Sequence, residues 1–176
     1  MGIPKEFVSY LIHFHGTQDF FECHEILEEY WKEVDPRNKD SHWVAFILLA
    51  VSAYHHRRSN FSGAEKTAKR ARHIIESTNN ETISLLGINK QELISLIQTR
   101  IEAIQSKLPF VSFQLPIVDE QLLQLCQLKC KENGINWFPS QLDVSEEIIH
   151  RHKLRDRSEV IMERELQLAL RRKYKE

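Results

Sequence analysis

The chain has 176 residues, 41% hydrophobic and 28% charged, with 24 Lys and Arg against 25 Asp and Glu and a formal net charge of −1. That is enough apolar material for a packed core, and it excludes a disordered tail and a globally basic nucleic-acid binder. Few Gly and Pro (5 each) argue against a turn-rich β protein, and 3 Cys outside any disulfide-framework spacing, with no leader-like start, suit the cytoplasm.

The predicted elements are all helical. Residues 4–14 place Phe7, Leu11 and Phe14 on one face, and His15-Gly16 ends the helix. Residues 19–34 follow, capped by Asp19 or Thr17, with an apolar stripe of Phe20, Leu27, Tyr30, Trp31 and Val34. Residues 42–57 contain nine consecutive apolar residues, Trp43 to Val51. That run is too short for a bilayer, which needs about 20. With no polar face, it predicts a central helix buried nearly all round. Ser62 and Glu65 have capping-box spacing before a helix that buries Ala64, Ala68, Ala71 and Ile75. Asn89 and Glu92 repeat that spacing before a helix to about Ser106. Residues 109–116, bracketed by prolines, read as an extended connector or short edge strand. Three more helical patterns lie near 119–132, 144–152 (capped by Asp143) and 157–174. The expected architecture is a multihelical bundle domain over 1–109 around the buried central helix, with a helical C-terminal extension over 110–176, packed on it or forming a partner surface.

The segment around residue 24 carries the densest chemistry. His24 and Glu28 are four residues apart and share a helix face, as do Glu25 and Glu28 at three. That spacing suits a carboxylate orienting an imidazole, or both groups binding one divalent metal ion. In an antiparallel hairpin with the central helix, facing residue numbers sum to about 76. His24 then falls opposite Ser52, with His55 and His56 one turn beyond. A second reading is purely structural. Residues 19–35 carry a net charge of −6 and residues 57–72 carry +5. Glu22, Glu25 and Glu28 then pair with Arg57, Arg58, Lys66 or Arg70, and a buried His24 is satisfied by Glu28 and Ser52.

The order His, three residues, an acid, two residues, Trp or Tyr stands here as His24, Glu28 and Trp31. With Phe20, Phe21, Glu22, Glu25, Tyr54-His55 and Asn60 to Ala64, it resembles a bacterial and archaeal family designated domain of unknown function 309. The resemblance covers about residues 4–108 and leaves 110–176 aside. It implies a helical bundle around a buried central helix and a metal-binding role for His24 and Glu28. It implies no reaction.

Other candidates are weaker. Glu147 and His150 form one Glu-x-x-His motif, where a di-iron bundle needs two. Cys126 and Cys130 are half a zinc site at best, and free thiols are the better reading. There is no phosphate loop, dinucleotide fingerprint or nucleophile elbow. Arg151, Lys153, Arg155 and Arg157 form a basic stretch that could contact phosphate, although the acids around it cancel its field.

Three functional readings stay open. The first is a small cytoplasmic helical protein of unknown biochemical role, with a polar cluster of His24, Glu25, Glu28, Ser52, His55 and His56 that is structural or holds a divalent metal. The second is an interaction module binding RNA or protein through basic helices. The third is a metal-assisted hydrolase with Glu25 or Glu28 as base and His24 as ligand. A membrane is excluded and nucleic acid disfavoured as partner; a protein partner or a second copy of the chain stays open.

Overall fold

The computed structural model describes residues 2–139, 144–151 and 162. Among these the elements are α-helices: α1 Lys5–Ile12, α2 Phe20–Val34, α3 His42–Arg57, α4 Phe61–Ser77, α5 Asn80–Ser84, α6 Lys90–Gln105, α7 Glu120–Glu132 and α8 Glu146–Ile149. The chain is an all-α bundle. The expected helix over 157–174 lies outside the described residues, apart from the helical Met162.

Sequence chemistry sets most of the boundaries. Asp19 caps α2 by accepting from Glu22 N, and Asn89 caps α6 by accepting from Glu92 N. Asp119 caps α7, which ends before Asn133 and Gly134. The cap of α4 is Asn60, accepting from Gly63 N, and not the expected Ser62. Ser145 caps α8, while Asp143 lies outside the described residues. His15-Gly16 does not end the first helix cleanly: α1 runs on into a π-helical turn, His13–Thr17. Gly16 is required there, because a Cβ would lie 2.7 Å from Ile135 Cγ2.

The core is built around α3. Phe46, Leu49 and Ala50 are buried, and Phe7, Tyr10, Leu11 and Phe14 of the N-terminal segment pack with them. Ala64, Ala68 and Ala71 let α4 approach α3 closely. The expected burial of α3 nearly all round holds apart from one half-buried stripe along one face, Val44, Leu48, Val51 and His55. An apolar stripe at a surface needs no polar substitution to be tolerated.

The α2–α3 register follows the expected antiparallel pairing. Phe21 meets Tyr54 with ring centroids 5.9 Å apart, and Tyr30 meets Trp43 at 5.0 Å. The side facing differs. Ser52 is buried and donates to Ala64 O of α4 at 2.8 Å, so it turns away from α2. Ser52→Ala should cost about 1 kcal/mol in urea unfolding, the net worth of one hydrogen bond. A loss above about 3 kcal/mol would mean that Ser52 holds a larger network.

The connector after α6 is extended and makes one antiparallel bridge, Ile88 to Ile117. It is tied to the N-terminal segment. His15 is fully buried; its Nδ1 donates to Leu11 O at 2.9 Å, and its Nε2 accepts from Leu115 N at 2.9 Å. The ring stacks on Trp137 at 4.6 Å. Gln18, at φ 52, donates to Pro139 O and accepts from the Ser112 hydroxyl, and these bonds hold its left-handed backbone.

Candidate metal centre

Helix α2 starts where Asp19 anchors it. One Asp19 carboxylate oxygen caps the helix and the other pairs with Arg151, which also reaches Glu22 at 3.6 Å. Arg57 donates to Gln18 O at 2.7 Å and lies over the Phe20 ring at 4.6 Å. Burial pulls its guanidinium down to about 10. The first turn of α2 is thus held by two arginines, one from α3 and one just beyond α8.

One turn further, three side chains converge. His24 Nδ1 lies 3.2 Å from Glu25 Oε1, and His24 Nε2 lies 2.9 Å from Glu28 Oε2. One ligand atom from each of the three can be chosen within 4.8 Å of the others. The imidazole is therefore clasped at both nitrogens by carboxylates of its own helix. Lys32 takes the other oxygen of Glu28 at 2.9 Å. The His24 hydrogen bond is the main reason the Glu28 carboxyl falls to about 2, with Lys32 adding to it. Glu28 is therefore an anion at any physiological pH. Lys32 was legible in the sequence as another i, i+4 partner.

The expected burial of His24 is corrected. Its side chain is 25% exposed, and those of Glu25 and Glu28 are 30% and 33%. Of the expected pairings with Arg57, Arg58, Lys66 or Arg70, two are replaced, since Glu28 pairs with His24 and Lys32 and Glu22 with Arg151, while Arg70 pairs with Asp40.

The remaining candidates separate. Ser52 faces α4. His56 is buried on the opposite side, donating from Nε2 to Leu108 O at 2.8 Å and accepting at Nδ1 from Arg100 at 3.1 Å. Neither joins the cluster. His55 lies on the half-buried α3 stripe, with Nδ1 3.1 Å from Asn60 Nδ2. Trp31 donates from Nε1 to Asn38 O at 3.1 Å, pinning the turn that follows α2. Of the basic stretch, Arg151 is spent on Asp19 and Glu22, while Lys153, Arg155 and Arg157 lie outside the described residues. Cys23, Cys126 and Cys130 are buried free thiols, and burial pushes Cys126 up to about 12, far from a ready metal ligand. No helix among the described residues is long and apolar enough to cross a membrane.

The donor set of one imidazole and two carboxylates suits a borderline or hard divalent ion. The Nε2 to Glu28 separation of 2.9 Å is that of an ordinary hydrogen bond.

A family model described as "Domain of unknown function (DUF309)" matches residues 7–67. The chain is 39% identical over 170 residues to "Uncharacterized protein YpuF" of Bacillus subtilis (strain 168), covering 97% of each chain. No solved structure matches it.

Proposed function

Starting from a chain that belongs to the DUF309 family, we propose that it binds one divalent metal ion through His24 Nε2 and Glu28, with Glu25 holding the imidazole from behind. The observation that carries this is the clasp of His24 between two carboxylates. A neutral imidazole donates to only one of them. The proton that joins Nε2 to Glu28 is what lowers the Glu28 carboxyl; with Nδ1–H given to Glu25, a divalent cation can take that proton's place between the Nε2 lone pair and the Glu28 carboxylate. A carboxylate behind the histidine is the usual outer partner of a metal-bound imidazole. The other coordination positions are left for water or a ligand, so the ion would supply Lewis acidity or an anchor.

Magnitudes argue against a purely structural cluster. Partly exposed ion pairs contribute about 0.2–1 kcal/mol. Three such groups on one helix are weakly motivated as a scaffold and well placed for a solute to reach. Glu28 is a poor general base, because both of its oxygens are engaged.

The test is a melting curve with chelator and then with zinc or manganese. Ligand binding to the folded state adds RT ln(1 + [L]/Kd), about 2.7 kcal/mol at one hundred times Kd. We expect a metal-dependent rise in the parent that disappears in His24→Ala and in Glu28→Ala. A parent indifferent to both metals would rule the reading out.

A further inference from the structure

Asn60 fixes the chemistry of His55. Its Oδ1 accepts from Gly63 N at 3.1 Å, which leaves the amide NH2 as the group facing His55 Nδ1 at 3.1 Å. A flipped amide would set an NH2 against the Gly63 N–H. His55 Nδ1 is therefore an acceptor, and in the neutral ring the proton sits on Nε2. Burial, then the charge of Arg58, hold His55 below its usual range and so neutral. Gly63 makes the arrangement possible: a Cβ there would lie 2.7 Å from Asn60 Nδ2 and 3.1 Å from His55 Cδ2. Three residues thus fix one imidazole as an N–H donor, and its Nε2 has no partner among the described residues. His55 in this state is no metal ligand, since its free nitrogen carries the proton.

A second donor stands beside it. The Arg58 guanidinium lies 5.2 Å from the Tyr54 ring centroid, and its Nε is buried without a hydrogen-bond partner among the described residues. Tyr54 in turn touches both the His55 ring and Phe21, and Phe21 touches His24. With Phe21 paired to Tyr54, His24 is level with Val51. His55 lies four residues on, about 6 Å along the helix axis.

We propose that His55 Nε2–H and Arg58 form a subsite for a phosphate group, belonging to an anionic ligand whose other end sits at the His24–Glu28 centre. The second half of this statement rests on the metal reading; the first does not. His55 Nε2–H and Arg58 Nε–H each lack an acceptor among the described residues, and a neutral N–H beside a guanidinium is matched to an oxyanion.

The full-length chain, with 15N-labelled histidine, is titrated with inorganic phosphate, and tautomers are read from two-bond 1H–15N correlations. We expect the Nε2–H pattern at His55 and a saturable shift of that signal by phosphate. His55→Ala and Arg58→Gln should each weaken phosphate binding about tenfold. Gly63→Ala, which removes no donor, should mix the tautomers and weaken binding less. Zinc should shift His24 and leave the His55 tautomer unchanged. An Nδ1–H pattern in the parent, no phosphate response at His55, or equal affinity in His55→Ala would overturn the subsite. Zinc silence with the phosphate response intact would sink the metal reading alone.

Discussion

Phe46→Ala should remove about 3–5 kcal/mol of folding stability, the cost of emptying a buried aromatic position. Phe46 is fully buried, with ring centroids 5.0 Å from Phe7 and 6.0 Å from Tyr10. Tyr10 is held by its own hydroxyl, which donates to Phe46 O at 3.0 Å. That bond goes to the backbone and survives the substitution, so the neighbouring ring cannot swing in to fill the space. For a chain of this size the melting temperature should drop on the order of 10 °C. A loss below about 1 kcal/mol, measured by urea unfolding, would mean that α3 is not the centre of the core.

Acid should weaken the fold through His15. The buried ring is fully bonded as a neutral imidazole, and burial lowers it from 6.5 to about 4. The unfolded chain therefore takes up a proton in a range where the native chain refuses one. Stability rises with pH wherever the unfolded state binds more protons. The contribution is complete above about pH 6.5 and is lost as pH falls towards about 4; it amounts to about 3 kcal/mol. His42, His55 and His56 are lowered as well and add to the slope in the same direction. The separating variant is His15→Gln, whose amide can replace both bonds and does not titrate. Its stability should be flatter between pH 4 and 6.5 than the parent's. Identical slopes would acquit His15.

Sequence periodicity reveals which segments are helical here more readily than which way they turn. Asp19, Asn89 and Asp119 are recognisable caps because a short oxygen-bearing side chain precedes each apolar pattern. Asn60 is masked by the Ser62-to-Glu65 spacing two residues later. Helix α5, Asn80–Ser84, is too short for any periodicity. The hairpin sum of about 76 compares with 75 for Phe21 and Tyr54 and 73 for Tyr30 and Trp43. One residue on a helix nevertheless turns about 100°. So Ser52 faces α4, and His56 faces Leu108, while His55 stays on the open stripe. His24, Glu25 and Glu28 are legible together because all three lie on one helix, where spacing alone fixes proximity. His15 is illegible: its distant partners are Leu115, 100 residues on, and the stacked Trp137 beyond it.

The ties at the start of α2 set an order of events during synthesis. Helix α2 lies within the first 34 residues, and His24, Glu25 and Glu28 need nothing else to meet. Arg57 reaches Gln18 O from 39 residues on, but the other anchors in front of the helix are made late. Gln18 waits for Pro139, 121 residues on, and Asp19 waits for Arg151, 132 residues on. The part of the chain that brings the three side chains together is thus among the first made, and the support beneath it is among the last to be finished.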